Sequence, residues 1–105
     1  MALSESTIIF NFQKAKRQAD ELDQIASNIS KMASSEFGET MQNIARNWKG
    51  EKANAYLAKG SILQEDMKST AGFLHKIAAE IREIAQRIYE AEMRALAIAQ
   101  ERNYS

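Results

Sequence analysis

The 105 residues carry 14 basic and 14 acidic side chains, so the formal net charge is zero at pH 7; this is room for one domain, with no excess charge to hold nucleic acid or an anionic membrane. Cysteine is absent and there is a single histidine, which excludes disulfides, thiolate chemistry and a multi-histidine metal site within one chain. With no proline and four glycines, and with Ala, Glu, Lys, Gln and Ile abundant, little interrupts a helix, and the expected fold class is all-α.

At the N-terminus, Met1 to Phe12 contains only the short apolar run Ile8-Ile9-Phe10, with Glu5 before it and no basic leader. A cleavable secretory signal is therefore not expected. No later run approaches the roughly 20 apolar residues of a membrane span.

Helix one is predicted over about 6–46, with Ser4 or Ser6 able to cap its start. Ile8, Phe12, Ala15, Ala19, Leu22, Ala26, Ile29 and Ala33 recur in steps of three and four, and Ile25 and Met32 widen the stripe. A second cluster, Phe37, Met41, Ile44 and Trp48, is displaced by one position. The displacement falls where Ser34, Ser35 and Gly38 weaken the helix, so a kink, a bulged turn or a short break is expected at 34–38.

Residues 47–50, Asn47-Trp48-Lys49-Gly50, form the expected turn, because Gly50 can take positive φ without a Cβ clash. Helix two is predicted over about 51–100, and residues 101–105 as a frayed tail. Its stripe is Ala53, Tyr56, Gly60, Leu63, Met67, Thr70, Leu74, Ile77, Ile81, Ile84, Ile88, Ala91, Ala95 and Ile98. A helix of that length, on the order of 75 Å, cannot leave such a stripe in water. Folding back at the turn gives an antiparallel two-helix hairpin in which Leu22 faces Ile77, Phe12 faces Ile84 and Ile88, and Met41 faces Tyr56 and Leu57. Phe37 then falls opposite Gly60, where the missing side chain leaves room for the ring.

Beside this stripe runs a row of smaller residues, Leu57, Ala71, Ala78, Ala85 and Ala99, while Ile62 and Phe73 point away from it. Three apolar positions per heptad suit a four-helix bundle, so this row, together with Ile62 and Phe73, is the expected dimer face, for a second copy or for a similar hairpin. The alternative is a monomer in which alanine is only good helix filler.

Trp48 is expected to pack over the start of helix two, with an exposed recognition group at the turn as the alternative reading. Tyr89 follows stripe member Ile88, which turns its ring outward, beside Glu92. His75 reads as a solvated surface residue. The carboxylates Asp20, Glu21, Asp23, Glu65 and Asp66 lie mostly off the stripes among Lys and Arg, and read as solvated faces with weak ion pairs. A two-helix hairpin makes no deep pocket, so no enzymatic activity, cofactor, metal or small-molecule substrate is expected.

Trp48-Lys49-Gly50 at mid-chain, followed by Ala53, Ala55 and Tyr56 and flanked by two apolar stripes, resembles the WXG family of ESAT-like type VII secretion substrates over essentially the whole chain. The resemblance implies a hairpin, usually dimerised antiparallel, exported folded from a Gram-positive bacterium by a membrane ATPase. Such proteins are secreted factors or small helical partners of a larger toxin. Implied partners are therefore the chain itself, a similar hairpin or the helical N-terminal region of a toxin, together with the secretion ATPase; the implied destination is extracellular. The family's export signal is commonly a Tyr followed four residues later by Asp or Glu. Here Tyr89 has Met93 at that distance and Glu92 at three, so either Tyr89 with Glu92 forms a variant signal or the signal sits on a partner chain. The competing class is an intracellular coiled-coil scaffold in which the Trp-x-Gly is only a good turn.

Overall fold

The computed structural model describes residues 4–104, and side chains as far as Arg102. All regular structure among them is helical: α1 spans Glu5–Ser34, α2 Glu36–Asn47 and α3 Glu51–Tyr104. Ser4 caps α1, its Oγ accepting from the Thr7 amide at 3.2 Å. The expected irregularity is a single residue, Ser35. Its hydroxyl donates to the Lys31 carbonyl at 2.7 Å, while the bonds from Ser35 N to Lys31 O and from Glu39 N to Ser35 O remain. A side chain competing for a helix carbonyl weakens the helix there without turning the chain back.

The reversal lies at 48–50. Trp48 is extended (φ −134°, ψ 123°) and caps α2 by donating its amide to the Ile44 carbonyl. Gly50 has φ 113°, and its carbonyl accepts the first amide bond of α3, from Asn54 at 3.0 Å. The left-handed backbone there is what glycine tolerates and other residues do not. At its far end α3 continues through Glu101 and Arg102 to Tyr104, past the expected limit near 100. No Gly or Pro stops it, and Arg102 in the last turn complements the helix dipole. Ser105 lies outside the described residues.

The chain, read from sequence as one domain over 1–105, packs as two compact units that both draw on α1 and α3. One comprises Asp23–His75 and contains the reversal. Asp23 meets His75, Ala33 meets Gln64 and Trp48 meets Tyr56, a descending order that makes the segments antiparallel. The other unit joins the chain up to Leu22 with the chain from Lys76 onward. Phe12 meets Tyr89 and Asp20 meets Arg82, so this pair is antiparallel as well.

Both units are closed by alanine. The buried apolar residues are Ile8, Ala19, Ala26, Ala33, Ala53, Ala71, Ala78 and, at 8% exposure, Ala85. Ala71, Ala78 and Ala85, expected on a dimer face, therefore belong to the interior, and Leu57 beside them is partly buried. Conversely Tyr56, Leu63, Ile84 and Ile88, expected in the hairpin core, are between 51% and 59% exposed. One of the two rows of the predicted α3 stripe is displaced by one position, Leu57, Gln64, Ala71 and Ala85 standing inside in place of Tyr56, Leu63, Thr70 and Ile84, while Gly60, Met67, Leu74 and Ile81 keep their expected places. The physical reason is size: alanine every seventh residue on both helices lets two backbones approach closely, whereas a row of Tyr, Leu and Ile would hold them apart.

Phe12, Leu22, Ile29, Phe37, Met41, Ile44, Met67, Leu74, Ile77 and Ile81 are partly buried along the seams. The contacts of Asp23 with His75 and of Ala33 with Gln64 keep the predicted pairing, whereas at Gly60 the partner differs from that predicted by about one helical turn. Met41, not Phe37, fills the space at Gly60, its Sδ lying 3.0 Å from where a Cβ would stand.

Candidate functional site

Two surface features in the unit of Asp23–His75 follow from this packing. The first is a row. Because the seam takes Leu57, Gln64 and Ala71, the residues one position earlier, Tyr56, Leu63 and Thr70, emerge on one side. On α1, Ile25 and Met32 stand one position before Ala26 and Ala33 and are likewise exposed. In an antiparallel pair, equivalent flanking positions of the two helices lie on the same side. Ile25, Met32, Tyr56 and Leu63 thus share one apolar face. The opposite flank carries polar partners: His75 Nδ1 lies 2.6 Å from Asp23 Oδ1. Ile62 and Phe73 are exposed, away from the seam as the sequence suggested.

The second feature is a groove at the reversal, about 350 Å³ in volume, lined by Phe37, Thr40, Met41, Ile44, Trp48, Tyr56, Leu57 and Gly60. Trp48 stacks on Tyr56 with ring centroids 5.5 Å apart and planes at 27°, yet stays 45% exposed. It packs on the start of α3 and at the same time walls an open groove. Lys52 and Lys59 stand beside Tyr56, with Ala55, around an adjoining depression.

In the other unit the same one-position displacement leaves Ile84 and Ile88 exposed next to buried Ala85. Here the expectation for Tyr89 is corrected: its ring is not turned outward but stacks on Phe12, centroids 4.6 Å apart and planes at 24°. Lys16 Nζ lies 5.2 Å from the centre of the Phe12 ring. Tyr89 takes this inner place because the seam passes through Ala85 and Glu92 rather than Ile84 and Ala91. Tyr89 and Glu92, three apart on one helix face, line a small cleft of about 190 Å³ with Ile8, Phe12 and Ile88 among others.

Sequence reasoning missed three cross-helix contacts. Gln64 Nε2 donates to the Ala33 carbonyl at 2.7 Å, serving the α1 backbone just before the irregularity at Ser35. His75 meets Asp23, and Arg82 donates to Asp20 at 2.7 Å. The signal was a polar row, Lys68, His75 and Arg82, in heptad spacing beside the true seam; it is recognisable only once that seam is known. Among the described residues no group of three or more His, Cys, Asp or Glu is placed to hold a metal ion, and no helix is long and apolar enough to cross a membrane. Comparison of the chain with protein-family models, with curated proteins and with solved structures gives no match.

Proposed function

We propose that this chain is a non-enzymatic helix-binding protein of the WXG, ESAT-like kind, acting as a secreted substrate or export partner of a type VII secretion system in a Gram-positive bacterium. The observation that carries the reading is the pairing of a mid-chain Trp48-Lys49-Gly50 reversal, with Gly50 at φ 113°, and large apolar residues left outside an alanine seam. Ile25, Met32, Tyr56 and Leu63 in one unit, and Ile84 and Ile88 in the other, are exposed. Large apolar side chains each contribute about 1.5 to 3 kcal/mol when fully buried, and covering them with partner helices would complete a four-helix bundle. The partner is a second copy, a similar hairpin or the helical N-terminal region of a toxin. Tyr89 and Glu92, which line one cleft, form the variant export signal in this reading.

Export is tested in a host with an active type VII system. Tyr89→Phe with Glu92→Gln keeps the ring stack on Phe12 while removing the hydroxyl and the charge. The protein should then accumulate in cells and disappear from the supernatant. Normal secretion of that variant would remove the pair from the mechanism, and retention of the unmodified chain in the cytoplasm would favour the scaffold reading.

A further inference from the structure

The groove at the reversal has a chemistry of its own. Its walls are largely apolar and aromatic, from Phe37, Met41, Ile44, Trp48, Tyr56 and Leu57, and Lys52 and Lys59 line a depression that shares Tyr56 with it. Between Phe37 and Gly60 the chain carries Arg46, Lys49, Lys52 and Lys59 against Glu39 and Glu51, although the whole protein is neutral. Lys49, Lys52 and Lys59 are exposed, and among the described residues none of the three forms an ion pair. We infer that this groove takes the large apolar anchor of an acidic amphipathic helix from a partner protein, with Lys52 and Lys59 holding the carboxylates on either side of the anchor.

The shape supports a helix over a lipid surface. A membrane-inserting aromatic projects from its surroundings, whereas Trp48 lies against Tyr56 and forms the side of a concavity. An open groove running beside two helices accepts a side chain carried on a third. The excess of cations is suited to selecting a helix with acidic flanks and rejecting a basic one. The inference rests on the helix-binding part of the function proposed above and is independent of export.

Trp48 is the only tryptophan, so its fluorescence reports on the groove directly. The full chain is titrated with a short helical peptide bearing Leu and Phe on one face and Glu on the other, and with a counterpart in which Lys replaces every Glu. Sedimentation at the same protein concentration records self-association, so a failure of the helix-binding reading is seen separately. The Glu peptide should produce a saturable shift at a concentration at least about tenfold below the Lys peptide. Lys52→Glu with Lys59→Glu, both surface changes, should reverse that preference while the circular dichroism stays helical. Equal binding of the two peptides, binding of neither, or a preference unchanged by the double substitution would overturn the inference. So would a Trp48 response to phosphatidylglycerol vesicles without one to the Glu peptide.

Discussion

At the scale of single residues, two glycines are held by opposite causes. Gly50 is fixed by its own backbone: φ is 113° and nothing lies within 4 Å of a Cβ added there. Gly50→Val should therefore cost about 1 to 2 kcal/mol through strain alone, seen as a lower melting temperature that no second-site packing change restores. Gly60 is fixed by a neighbour, since a Cβ would stand 3.0 Å from Met41 Sδ. Gly60→Leu should destabilise by about 1 to 3 kcal/mol through overpacking, and Met41→Ala in the same chain should recover part of the loss. A Phe37→Ala change that recovered as much would return the register to the one expected from sequence. The turn glycine was legible in the sequence, because Gly after Trp48 between two stripes has one use. The partner of Gly60 was not, because Phe37 and Met41 lie one turn apart on the same helix face and either could reach it.

At the scale of the helices, the question is which row of α3 holds α1. Ala71 is buried and Leu63 is exposed, although leucine is much the more hydrophobic. Ala71→Leu should thus cost about 1 to 3 kcal/mol by forcing the helices apart, whereas Leu63→Ala should change the stability of the unassociated chain by no more than about 0.5 kcal/mol. Urea unfolding at low protein concentration checks both. The opposite ranking would show that the larger stripe is the seam after all. Gln64 adds a second element-scale contact, donating to the Ala33 carbonyl at 2.7 Å beside the irregularity at Ser35. Its replacement by Leu should cost about 1 kcal/mol and speed hydrogen exchange of amides near Ser35.

At the scale of the whole chain, among the described residues the only fully buried large side chain is Ile8, and the other buried apolar residues are alanines. Alanine methyls remove little surface from water, there are no disulfides to compensate, and the unassociated chain should be only marginally stable. Partner helices that cover the exposed Ile, Leu and Met would add what the alanine seams lack. The melting temperature should consequently rise with protein concentration if the partner is a second copy. Leu63→Glu with Ile84→Glu should abolish that dependence and halve the sedimenting mass while leaving the chain helical. A concentration-independent melting temperature with a single-chain mass would instead point to a partner of different sequence.

The all-α class, the reversal at 47–50 and the interruption at Ser35 were all readable along the chain, because composition, glycine placement and the apolar period of a helix are local properties. Which of two adjacent rows became the interior was not. Hydrophobicity ranks Tyr56, Leu63 and Ile84 above Ala71, Ala78 and Ala85, but two helices close on the residues that fit between them. That is a property of the pair, and it decided together that alanines went inside, that Tyr89 turned in against Phe12, and that Tyr56, Leu63, Ile84 and Ile88 were left facing out.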